Sequence, residues 1–151
     1  MRTLAEAGAE ILPLDPIGAA VYGVDLASES PPAPAVVTAL EYEMATRGFV
    51  VFKNETQLSV DDFLRASCLW GGKALHSTHG VHPATPGYNR HIFRLSNDQR
   101  RGIPGVGPQW HNDGSFNTTT FSHSGYHIVR PAERGGGTCF AHQGAAYDAL
   151  P

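Results

Sequence analysis

Apolar positions in this chain fall in short clusters separated by turn formers, and their spacing changes from cluster to cluster. EILPL and IGAAVYGVDL, near the start, read as two short strands joined at Asp15-Pro16. SESPPAPA is a loop, with Pro34 well placed for the first turn of a helix, where its missing N–H costs nothing. That helix runs through AVVTALEYEMATR, with Val37, Leu40 and Met44 on one face and Gly48 closing it. FVVFK at 49–53 is β-branched and aromatic and predicts a buried strand. Ser59, with Asp62 three residues on, predicts a capping box and a second helix through VDDFLRASCLW, ending at Gly71-Gly72.

From Lys73 to Asn89 no period is visible, which predicts a long loop. HIFRLS at 91–96 reads as a strand and is followed by a Gly/Pro-rich loop to Gln109. TTFSHSGYHIV, from Thr119, suits one strand or two close ones; PAERGGG is a turn, TCFAH a strand, and GAAYDAL the beginning of a helix. A helix-containing first part followed by a β-rich second part predicts an α+β fold with a mainly β core. The high glycine and proline content, 17 and 11 residues, agrees with many turns. A length of 151 residues fits one domain.

Charge and composition narrow the partners. A net charge of −3 without any run of Lys or Arg gives no footprint for nucleic acid or an anionic membrane. No segment approaches the roughly 20 apolar residues of a membrane span. The N-terminus lacks the apolar stretch of a signal peptide, and Glu6 and Glu10 argue against a transit peptide, so a cytoplasmic location is expected. Cys68 and Cys139 are too few for a disulfide framework.

The chemistry concentrates in QWHNDGSF at 109–116. If this stretch is extended, its period of two sends His111 and Asp113 to one face and Asn112 to the other. An imidazole and a carboxylate side by side suit Fe(II) in a two-His, one-carboxylate site. The same residues also suit a polar turn, with Asp113-Gly114 at a tight bend. GGGTCFAH at 135–142 offers three glycines that let the backbone turn or approach a ligand, and Thr138 then supplies a hydroxyl; an ordinary hairpin loop reads the same way. His76, His79 and His82 recur at spacings of three in HSTHGVH, which suits either a zinc site lacking cysteines or solvated loop histidines. Trp70, Trp110, Phe116, Tyr126 and Tyr147 are expected to be core or site-wall aromatics.

Taken together and in order, IGAAVYGVDL, ATRGFVVFKN, WHNDGSF and PAERGGGTCFAHQGAAYDALP resemble the taurine dioxygenase (TauD/TfdA) family over nearly the whole chain. Thr138 follows His111 by 27 residues, which is the family's spacing. The resemblance implies a double-stranded β-helix, the jelly roll of the clavaminate synthase-like proteins. It also implies an oxidoreductase that uses Fe(II), with 2-oxoglutarate and O2 as co-substrates, to hydroxylate a small organic molecule. CO2 and succinate are the other products. Carried over, it makes His111 and Asp113 iron ligands, Thr138 a 2-oxoglutarate contact, and His82 a candidate substrate contact in the loop before Pro83. Taurine itself is disfavoured, because taurine-specific members carry Asn where this chain has Gly107. Gly137 also replaces the aspartate that often precedes the family's Thr.

The family's second iron-ligating histidine, and an arginine that pairs with the distal carboxylate of 2-oxoglutarate, lie well over a hundred residues beyond the His-x-Asp. The resemblance therefore implies that residues 1–151 are the N-terminal part of one dioxygenase domain, with an incomplete jelly roll and a site inactive on its own. His123, His127 and His142 are the local histidines that could stand in. The alternative is a non-catalytic binding or assembly fragment on the same scaffold. Homo-oligomerisation is left open.

Overall fold

The computed structural model describes residues 8–53, 57–72 and 79–151. Two compact units are present, Met1–Leu58 with His127–Pro151 and, separately, Ser59–Tyr126. The first holds most of the core.

In the first unit, β1 (Glu10–Pro13) and β2 (Ala19–Tyr22) pair antiparallel, with Ile11 opposite Val21 and Pro13 opposite Ala19. The turn at Asp15-Pro16 lies between them as expected, closed by Leu14 N–H donating to the Gly18 carbonyl at 2.9 Å. Helix α1 (Pro34–Arg47) then carries the chain over to β3 (Val50–Phe52), which pairs with β2 in parallel. Parallel neighbours require such a crossover, because a tight turn can only reverse the chain. The sheet order is β1-β2-β3, so β2 is central. Three consecutive residues of β2, Ala19, Ala20 and Val21, are buried, so both faces of this strand are covered.

Helix α1 begins as expected, with Pro34 in its first turn, and stops at Gly48. Gly48 takes φ +89°, a left-handed conformation that glycine adopts without steric cost, and its N–H caps the Met44 carbonyl. On the expected face Leu40 is fully buried and Val37 and Met44 are half-buried; Val36, which the sequence did not place there, is buried as well. Val36 and Leu40 are four residues apart and lie one above the other, whereas Val37 is half-buried.

Phe49 links α1 and β3 to the end of the chain. Its ring stacks on Phe140 at a centroid distance of 4.4 Å. It also lies against Gly18, where a Cβ would come within 2.4 Å of the ring. Gln57 Nε2 donates to the Val129 carbonyl at 3.0 Å. Helix α3 (Gln143–Asp148) follows, its free N–H at Ala145 donating to Nδ1 of His142 at 3.1 Å. The expected helix start at GAAYDAL is thus present.

The second unit opens with α2 (Val60–Ser67) behind the expected capping box. Ser59 Oγ accepts from Asp62 N–H at 3.1 Å, and Asp62 Oδ2 accepts from Ser59 N–H at 3.0 Å. The helix ends at Ser67, and Cys68 to Gly72 continue as turns rather than as the last helical residues. A short 3-10 helix spans Pro86–Tyr88.

The expected β-rich second half differs most. Among the described residues, 91–96 forms only an isolated bridge between Leu95 and Ile103, and 119–129 and 138–142 form no strands. A strand is defined by a neighbour that takes its N–H and C=O groups, and no ladder partner stands beside these segments among the described residues. Apolar, β-favouring composition alone does not make a sheet. Trp110, Phe116, Tyr126 and Tyr147, expected as wall or core aromatics, are exposed for the same reason: no second layer covers them here. Among the described residues no helix is long and apolar enough to cross a membrane. Cys68 and Cys139 are both free.

Candidate metal centre

His111 and Asp113 lie in the second unit, where an irregular stretch from Trp110 runs into a turn at 113–116. Gly114 makes the turn. It has φ +69°, and a Cβ there would come within 2.6 Å of the Phe121 ring, so both backbone and space demand glycine. Asn117 N–H donates to the Gly114 carbonyl at 3.0 Å, and Ser115 Oγ to the Asn112 carbonyl at 3.2 Å. The sequence left an extended pair and a polar turn as alternatives, and the structure has the turn at 113–116, preceded by irregular chain.

The two side chains converge. His111 Nε2 stands 3.1 Å from Asp113 Oδ1. On the far side of the ring, Nδ1 lies 2.7 Å from the Gln109 carbonyl and donates its hydrogen there. That bond fixes the ring orientation and leaves Nε2 as the nitrogen facing the carboxylate. The Gln109 carbonyl is the main reason the imidazole is held above its ordinary pKa; partial desolvation opposes the shift, and the charge and hydrogen bond of Asp113 reinforce it. Gly107, at φ +72°, packs where a Cβ would touch His111 Cε1 at 3.2 Å.

A third side chain joins the pair. The Tyr126 hydroxyl donates to Asp113 Oδ2. Desolvation of the hydroxyl end, then the hydrogen bond and charge of Asp113, push the phenol up to about 12, so it stays a donor. Nothing in the sequence signals this contact, because Tyr126 lies 13 residues from Asp113 with no motif joining them.

These residues fit part of a metal site. Two donors bound at right angles to one divalent ion, each at about 2.1 Å, stand about 3.0 Å apart. The Nε2 to Oδ1 separation of 3.1 Å is compatible with that edge and is equally the length of a direct His111–Asp113 hydrogen bond. An imidazole and a carboxylate are also the donor mix for Fe(II). Among the described residues, no group of three or more His, Cys, Asp and Glu side chains is placed to hold a metal ion.

The other expected site residues are placed as follows. Thr138 is exposed in the first unit, just after the turn at Gly135 and Gly136, which take φ +64° and +71°. His82 uses both ring nitrogens: Nδ1 accepts from Ala84 N–H in its own loop at 3.1 Å, and Nε2 donates to the Gln99 carbonyl, 17 residues on, at 3.0 Å. His79 stacks on Phe93 with centroids 3.9 Å apart, and His76 lies outside the described residues. His123 stacks on Trp70, and His142 caps α3. Apart from these expected site residues, Asp98, Arg100 and Arg101 form a surface charge group with separations of 3.6 Å.

No curated protein and no solved structure matches the chain significantly. The family model described as taurine catabolism dioxygenase TauD, TfdA family matches residues 10–151, the stretch that carries both His111 and Asp113 and Thr138. With nearly its whole length matched, the chain belongs to the TauD/TfdA family.

Proposed function

We propose that this chain carries the metal-facing part of an Fe(II)- and 2-oxoglutarate-dependent dioxygenase that hydroxylates a small organic substrate, on the N-terminal part of a double-stranded β-helix. The observation that carries the reading is the convergence of His111 Nε2 and Asp113 Oδ1 at 3.1 Å in a chain of this family. His111 and Asp113 would hold the ion. When bound, Fe(II) and 2-oxoglutarate supply the oxidising power drawn from O2, with succinate and CO2 released.

The chain's own residues bind and orient. Gln109 aims Nε2 of His111 through Nδ1. The Thr138 hydroxyl offers a hydrogen bond to a 2-oxoglutarate carboxylate. His82, as a substrate contact, would use its ring only by opening the Gln99 bond. Among the described residues no third ligand joins these two, and two alone would hold the ion weakly, so the chain is proposed to be inactive as it stands.

Anaerobic titration of the purified chain with Fe(II) and 2-oxoglutarate, followed by admission of O2, tests this. Weak Fe(II) binding that His111→Ala and Asp113→Ala each abolish is expected, without sustained succinate release. Fe(II) binding indifferent to both substitutions would overturn the site. Robust succinate formation that disappears in His111→Ala would keep the site and overturn the claimed inactivity, placing a third ligand within the chain.

A further inference from the structure

A carboxylate free at both oxygens can rotate, bind through either, or chelate through both. Asp113 is not free: Oδ1 faces His111 Nε2, and Oδ2 accepts from the Tyr126 hydroxyl. The donor is itself positioned by packing. Beside it, Gly125 lies against α2, where a Cβ would stand 3.5 Å from Phe63 Cε2 and 3.6 Å from Ser67 Oγ. On the other side of the loop, Phe121 covers Gly114 so closely that no side chain fits beneath it. The Tyr126 ring is 59% exposed, so the packing that places it acts through the chain beside it at Gly125, and its hydroxyl is left to bond Asp113.

We propose that Tyr126 is a positioning residue for the metal-binding carboxylate, holding Asp113 Oδ2 so that Oδ1 alone faces the ion beside His111 Nε2. This rests on the reading of His111 and Asp113 as metal ligands. A hydrogen bond from outside the ligand set fixes ligand orientation and carries a recognisable share of metal affinity. It also sets how the carboxylate binds, through one oxygen rather than two. Phenylalanine at 126 keeps the ring and removes only the donor.

Co(II) is a suitable probe, because its visible absorption reports the number and arrangement of its ligands. The full chain, Tyr126→Phe and His111→Ala are titrated with Co(II) into the millimolar range. Tyr126→Phe is expected to weaken binding by about tenfold. At saturating Co(II) it is also expected to change the visible band, as the released carboxylate closes onto the ion through both oxygens. Unchanged affinity in Tyr126→Phe, with binding lost in His111→Ala, overturns the role of Tyr126 and leaves the metal site standing. Weaker binding with an identical band at saturation also overturns it, since a merely structural effect moves affinity but not the ligand set. Co(II) binding that survives His111→Ala overturns the metal reading itself, and the proposal with it.

Discussion

Asp62 shows how closely a single side chain here is tied to its backbone. Its carboxylate accepts from the Ser59 hydroxyl at 2.6 Å and the Ser59 N–H at 3.0 Å, and Arg65 donates to it at 2.6 Å. Those bonds, Ser59's first and Arg65's after them, hold its pKa below the ordinary carboxylate range. A folded pKa below the unfolded one contributes stability that is fully present above the unfolded value, near 4, and is lost as pH falls through the folded value. Protection of the amides along residues 60–67, taken relative to their intrinsic exchange rates at each pH, should therefore be full at neutral pH and fall on acidification below about pH 4. In Ser59→Ala the Asp62 carboxyl should titrate closer to its ordinary range, and α2 should lose about 1 kcal/mol at neutral pH. NMR titration of the Asp62 carboxyl carbon checks the first expectation. An unchanged midpoint in Ser59→Ala would refute the role assigned to the capping box.

Among the elements, those fixed by neighbours in sequence were legible and those fixed by distant partners were not. The capping box before α2, the proline that starts α1, the glycine that ends it, and the turn at Asp15-Pro16 are each decided within a few residues. The closeness of His111 and Asp113 belongs with them, since a two-residue spacing sets the two side chains near each other. Tyr126 does not, and neither do the strands expected at 91–96, 119–129 and 138–142, which need a partner that local pattern cannot name. The face of α1 is an intermediate case. Its helical period was clear, but which of two adjacent valines is buried depends on β2 and β3, with Val36 chosen over Val37. Urea denaturation of three variants separates the faces. Leu40→Ala should cost about 2–5 kcal/mol, as for a fully buried leucine that leaves a cavity. Val36→Ala should cost more than Val37→Ala, and the reverse order would refute the deeper burial of Val36.

At the scale of the whole molecule, the distribution of apolar surface matters more than its amount. The buried apolar residues cluster around β2 and the Val36-Leu40 face of α1, in the first unit. In the same unit, Ile128, Val129, Tyr147 and Leu150 are each more than half exposed, and Phe140 nearly half. Among the contacts that hold segment 127–151 are the Phe49–Phe140 stack and the Gln57–Val129 hydrogen bond, each modest beside so many uncovered side chains. Soluble monomers seldom leave that much apolar side chain in water. The isolated chain is therefore expected to associate as its concentration rises, through a contact that buries part of this segment. Sedimentation velocity over a concentration series should show the average sedimentation coefficient rising. Ile128→Lys with Tyr147→Lys should shift that rise to higher concentration, because each lysine would carry a charge into the contact without a partner. Neither site lies at His111 or Asp113, so metal binding should survive in the double variant. A coefficient that stays constant in the parent chain, or a rise unaffected by the two lysines, would show that this surface does not drive association.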